Sequence, residues 1–199
     1  MSTEKLDTQV RQEQIARAAL GLLTDLGMQG LNIGRVARRV GLVPSAIYRH
    51  FKSKDEILDA VLELIEERLL GNVRAVYEES SDCLERLRLL LMRHIELIRG
   101  NDAIPRIIFS DEVGFGDSAK RAKLYGIIEG YLKEVEDIVH RGQGAGVVRD
   151  DLDPATLSVM FLGLIQPAVI LWHVSDGRFN ATRHAREAWE IFRDAIRTK

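Results

Sequence analysis

The 199-residue sequence predicts an all-α fold. Three observations carry that prediction. Apolar residues recur at spacings of three and four along nearly the whole chain; no stretch alternates with period two for long enough to make a strand; and Gly27, Gly41, Pro44, Gly100 and Pro154 punctuate the pattern at about the length of a helix. At 46% hydrophobic the chain can bury a substantial core. A single cysteine, Cys83, excludes an internal disulfide framework and agrees with a reducing compartment. The opening MSTEKLDTQVRQEQ lacks the basic-then-apolar layout of a secretory signal, so the expected location is cytoplasmic.

Taken in order, Ile15, Ala19, Leu22, Leu23 and Leu26 form one stripe of a first helix that Gly27 ends. Asn32 can cap a second, short helix carrying Ile33, Val36, Ala37 and Val40 on one side, stopped at Gly41. Pro44 opens a third short helix ending near Phe51. Ser53 and Glu56 have capping-box spacing and start a longer helix towards Tyr77. Asp82 and Glu85 repeat that spacing ahead of a helix ending at Gly100. Residues 101–117, with Pro105, Gly114 and Gly116, read as a short helix and a loop. A long helix follows from Ser118 to Arg141. The GQGAG after it follows a helix and leads into VVRDDLD, so it lacks the strand-to-helix context of a phosphate loop and reads as a turn. Asp153 and Pro154 open a helix uncharged from Ala155 to Trp172, and Asn180 opens the last one. That uncharged stretch is about long enough to cross a bilayer. Gln166 and Pro167 at its centre, and the absence of a flanking basic cluster, favour instead a helix covered by protein on every side, with no membrane partner.

Charge is uneven. Residues 1–58 hold nine Lys/Arg against six Asp/Glu, although the chain as a whole has net charge −2. Between Asn32 and Lys54 there are six basic residues and no acidic one. A positive face on a negative chain is the pattern for an anionic partner met on one side. Two short helices joined at Gly41 and packed on a longer first helix make a helix-turn-helix, whose second helix would present Pro44, Ser45 and Ala46 to DNA base edges. Tyr48, His50 and Lys54 then lie where hydroxyl, imidazole and ammonium groups reach phosphates. The competing reading of YRHFKSK, a solvated helix face, explains the charge but not the turn glycine, the paired short helices and the capping box together.

GLNIGRVARRVGLVPSAIYRHFKSKDEIL resembles the DNA-binding domain of the TetR family of bacterial transcriptional regulators, over roughly residues 9–62, through Gly30, Asn32, Val36, Ala37, Gly41, Ile47, Tyr48, Phe51, Lys54 and Leu58. The resemblance implies a helix-turn-helix domain over 1–53 and a helical effector-binding and dimerisation domain over 54–199. It implies a repressor of double-stranded operator DNA. Asn32, Tyr48, His50 and Lys54 would meet the DNA backbone, and Gly34, Pro44, Ser45 and Ala46 would face bases; Arg35 and Arg49 complete the expected DNA-binding set. Val43 departs from the polar cap common before that recognition helix, and Asn32 stands where Thr is common. The base-facing set has no Arg, Asn or Gln able to make bidentate base contacts, so DNA shape and half-site spacing are expected to carry much of the specificity.

The family's later helices form a homodimer around small-molecule pockets. Here the uncharged helix and the 181–195 seam need partners, so a four-helix dimer interface is expected from Leu157, Phe161, Ala181, Ala185, Ala188, Phe192 and Ala195. An effector pocket is expected among His94, Ile98, Ile107, Phe109, Phe115 and Leu124, with Ile128, Tyr131, Met160, Leu164, Gln166 and Trp172; the low charge of that set fits a largely apolar effector. His94, His140, His173 and His184 have no metal-helix spacing, and no nucleophile–base–acid order can be drawn, so neither metal, cofactor nor enzymatic activity is expected. The alternative is a non-regulatory DNA-coating or scaffold protein using the same head without an effector.

Overall fold

The computed structural model describes the backbone of residues 3–101, 103–116 and 118–199; the side chains of residues 3–6 and 115–116 lie outside that description, and with them the expected pocket residue Phe115. Every extended element among the described residues is helical, apart from one isolated antiparallel bridge between Val148 and Arg197. The helices are α1 (Thr3–Leu26), α2 (Ile33–Arg39), α3 (Pro44–Ile47), α4 (Lys54–Glu79), α5 (Cys83–Arg99), α6 (Ala103–Ile108), α7 (Ser118–Gly144), α8 (Pro154–Val174) and α9 (Ala181–Ile196). A wide helical turn, Asp111–Gly116, separates α6 from α7.

Local chemistry sets the boundaries. Asn32, Asp82, Asp153 and Asn180 each accept a hydrogen bond from the backbone N–H three residues on, satisfying a donor that the first turn of a helix leaves orphaned. The Ser53 hydroxyl accepts from the Glu56 N–H at 3.1 Å, while the Glu56 carboxylate accepts from Lys52 N–H at 2.7 Å, one residue earlier than in a standard capping box. Helix α3 is a single turn, shorter than the expected 44–51, and its chain continues in tight turns in which His50 and Phe51 N–H both donate to the Ile47 carbonyl. Helix α7 runs three residues past Arg141, and GQGAG is its last turn and exit.

The chain forms two compact units. One contains residues 1–67 and 101–124, the other residues 68–100 and 125–199. This division differs from the expected one at 53/54: it falls inside α4, and the segment 101–124 belongs with the N-terminal helices. In the first unit Ile15, Ala19, Leu23, Val36, Ala37, Ile47, Phe51, Ile57 and Leu58 are buried, and α6 packs on α1. Leu26, expected in the buried stripe, is exposed, because the chain turns back at Gly27; its Cβ instead lies directly beneath Gly30, where an added Cβ would stand 2.2 Å away.

In the second unit α5, α8 and α9 pack on one another, with Tyr131, Val135, Ile138 and Val139 of α7 in the same core. Phe161 and Phe192 meet at 6.2 Å between ring centroids. This packing corrects two expectations. Leu157, Phe161, Ala181, Ala185 and Phe192, expected at a dimer interface, are buried in their own unit, and only Ala188 and Ala195 of that set remain accessible. Nor is α8 covered on every side: Val159, Met160, Ile170, Leu171 and Val174 are exposed, as is Ile191 of α9 at 75%. Helix α8 is long and apolar enough to cross a membrane by length and composition, and a third of that stretch is buried within the protein.

Candidate nucleic-acid interface

Gly41 has φ of 70°, a left-handed conformation that side-chain-bearing residues avoid, and this lets α2 turn into α3 within four residues. Val43 caps α3 with no side-chain hydrogen bond, so the turn closes through its backbone carbonyl, which accepts from Ala46 N–H at 2.9 Å. Pro44 supplies the first helical position without adding an orphan donor. Ile47 and Phe51 anchor the turn in the core, leaving Pro44 and Ser45 exposed and Ala46 half-buried. All three are small, so backbone can approach a groove closely there.

Around that turn the polar groups sort into free and committed. Tyr48 is 54% exposed and its side chain makes no hydrogen bond among the described residues, so its hydroxyl is available. Arg49 is exposed and Lys54 half-buried; neither forms an ion pair among the described residues. Exposed Asn32 spends its side-chain carbonyl oxygen on the cap. Gly34 is exposed beside it. Arg35 is partly committed, because its guanidinium donates to the Gly30 carbonyl at 3.2 Å. At His50, Nδ1 is buried without a partner among the described residues and the backbone carbonyl accepts from Gln12 at 3.3 Å, which leaves Nε2 as the ring nitrogen for the expected phosphate contact. Arg38 and Lys52, absent from the expected set, are equally exposed and unpaired among the described residues, whereas Arg39 is bound to Asp25 at 2.6 Å and Arg17 to Glu13. The basic run from 32 to 54 was the signal for both, but sequence cannot tell a free cation from a paired one.

The expected effector residues divide between the units. Ile107, Phe109 and Leu124 lie in the first, and Phe109 is 49% exposed, outside any core. In the second, Ile98 is buried, Ile128, Leu164, Gln166 and Trp172 are half-buried, and Met160 stands on the outer face of α8 at 53% exposure, so it lines no interior of its own unit. His94 and Tyr131 form a buried pair, with Nδ1 and the phenolic oxygen 3.0 Å apart and the rings edge to face. Burial lowers the His94 imidazole from its ordinary value to about 4 and pushes the Tyr131 phenol up, so both are neutral at physiological pH. None of the four described surface clefts is lined by a residue of the expected effector set.

A glycine-hinged pair of short helices on a longer one, ringed by cations and a tyrosine hydroxyl that are unpaired among the described residues, defines a helix-turn-helix DNA-binding protein. Residues 15–61 match the family described as bacterial regulatory proteins, tetR family, and residues 63–195 match the YsiA-like protein C-terminal region. The chain belongs to the TetR family. It is 26% identical over 192 residues to the nucleoid occlusion factor SlmA of Shewanella pealeana, covering 94% of both chains. It is 23% identical over 186 residues to the fatty acid metabolism regulator protein of Bacillus subtilis, covering 94% of this chain and 95% of that one. Among solved structures, the transcriptional regulator FadR from Bacillus subtilis in complex with stearoyl-CoA has the same fold, with a TM-score of 0.77 at 23% identity over 92% of this chain and 98% of that one.

Proposed function

We propose that this DNA-binding regulator is a homodimeric repressor, released from a palindromic operator by a largely apolar effector carrying an acyl chain. The observation that carries the reading is the set of exposed Tyr48 and Arg49 with half-buried Lys54, unpaired among the described residues, around a turn whose other face is locked in the core. Phosphate contacts of that kind position a recognition helix, and Ser45 with Ala46 supplies limited direct readout. The dimer is supported by the uncovered apolar stripe of α8, Val159, Met160, Ile170, Leu171 and Val174, joined by Ile191 of α9. Two copies meeting there would form a four-helix bundle and read half-sites about one DNA turn, roughly 34 Å, apart. The expected interface thus moves to the opposite stripe of the same two helices.

An acyl effector is favoured by the relatives named for fatty acid metabolism and by the low charge of the second unit's interior. His94 and Tyr131 are its proposed neutral polar handles. Helix α4 carries Lys54 at its start and ends in the second unit, so an effector preferring the DNA-free state shifts the population away from operator binding. The place of action is the cytoplasm, where the DNA is.

Selection from random duplex DNA, repeated with Lys54→Ala, tests this: a palindrome that weakens in the variant, and is released by stearoyl-CoA, is the expected result. The likeness to nucleoid occlusion factors favours a second reading, a DNA-coating protein without effector control. Salt-sensitive binding to every duplex with no enriched motif would select that reading instead.

A further inference from the structure

Helix α7 begins in the same compact unit as the helix-turn-helix and is tied there to α4 by two ion pairs. Lys120 Nζ lies 3.1 Å from Asp55 Oδ1, and Lys123 Nζ lies 2.7 Å from Glu63 Oε1. The two pairs differ in kind. The Lys120 side chain is 8% exposed while that of Asp55 is 70% exposed, so a buried ammonium backs a carboxylate that faces solvent. A buried cation is costly unless a neighbouring anion offsets it.

The position of that carboxylate matters. Asp55 and Glu56 are the two acids of the first turn of α4, where the helix dipole favours negative charge. Glu56 is engaged with the Lys52 N–H, but Asp55 is free on its outer side and directly follows Lys54. An open carboxylate beside a phosphate-binding lysine would repel the same phosphate.

We propose that Lys120 is a positioning residue for DNA binding: it neutralises Asp55 from behind and holds the start of α4 so that Lys54 meets a phosphate without an opposing charge. The beginning of α7 is thereby a working part of the DNA-binding head, although more than sixty residues separate it in sequence, and α7 joins α4 as a second helix running from the head into the other unit. The inference rests on Lys54 as a phosphate contact.

The test measures operator affinity and its salt dependence for full-length wild type, Lys120→Met, Asp55→Asn, the double variant, and Lys54→Ala as control. Lys120→Met is expected to weaken binding about fivefold per protomer and to lower the slope of log affinity on log salt by up to about 0.9. The double variant, with the same net charge as wild type, is expected to recover both. If Lys120→Met unfolds, Asp55→Asn serves alone, with an expected rise in the slope. Wild-type behaviour of Lys120→Met or an unchanged slope in Asp55→Asn, with Lys54→Ala impaired, would overturn the proposal and leave Lys54 in place. Loss in Lys120→Met that the double variant fails to recover would reduce Lys120 to a packing role. Full binding by Lys54→Ala would remove the underlying contact, and the proposal with it.

Discussion

Acidification should reveal the buried His94–Tyr131 pair. In the unfolded chain His94 takes up a proton near its ordinary 6.5, but in the folded protein burial holds it neutral down to about 4. Between those values the unfolded state binds more protons, so stability is complete above about pH 6.5 and falls as the pH drops towards 4. The lowering corresponds to about 3 kcal/mol in total, of which about 2 kcal/mol is lost by pH 5. The reference is the double variant His94→Leu/Tyr131→Phe, which removes both members and so leaves no orphaned hydrogen-bonding atom. Urea unfolding of both proteins at half-unit intervals from pH 7.5 to 5, followed by circular dichroism, isolates the contribution from the other four histidines. The two stability curves should converge on acidification by about 2 kcal/mol. Parallel curves would refute the burial argument.

Four further substitutions have outcomes set by the geometry. Gly142→Ala places a Cβ 2.6 Å from Val148 Cγ2 and 3.2 Å from Cys83 Cβ, so it should destabilise by about 1–3 kcal/mol, read as a lower urea midpoint. Asn32→Ala removes the α2 cap and should cost about 1 kcal/mol of stability, together with weaker DNA binding at matched folding, checked by chemical unfolding and fluorescence anisotropy. Ile170→Glu on the exposed stripe should leave the helical signal intact and convert the proposed dimer to a monomer in sedimentation velocity, whereas Phe161→Ala, in the core, should cost about 3–5 kcal/mol of stability.

The helices and their starts were legible because a cap is a local event: Asn32, Asp82, Asp153 and Asn180 carry short acceptors one turn ahead of the amides they bind. The recognition turn was legible for the same reason, since Gly41, Pro44 and the basic run lie within about twenty residues. Orientation was not. Helix α8 is apolar on all sides, so its sequence contains no contrast to say that Phe161 faces in and Met160 out, and the 181–195 seam of α9 fits its own unit as well as a partner. The role of 101–124 was hidden because it depends on pairs distant in sequence, such as Lys120 with Asp55 and Arg106 with the Thr24 carbonyl. His50 shows the limit of residue type alone: the chemistry suits a phosphate, but the fold covers one of its ring nitrogens.

The discontinuity of the first unit has a consequence for the order of synthesis. As the chain leaves the ribosome, α1 to α4 emerge long before Ile104, Ile107 and Val113, which are buried in the finished unit. Until residue 124 is outside the exit tunnel, the nascent DNA-binding end carries an unsatisfied apolar surface and an Asp55 without its ammonium. A fragment cut at residue 62 would keep that immature state permanently, so a minimal head for binding studies has to carry 101–124 back to it by a linker.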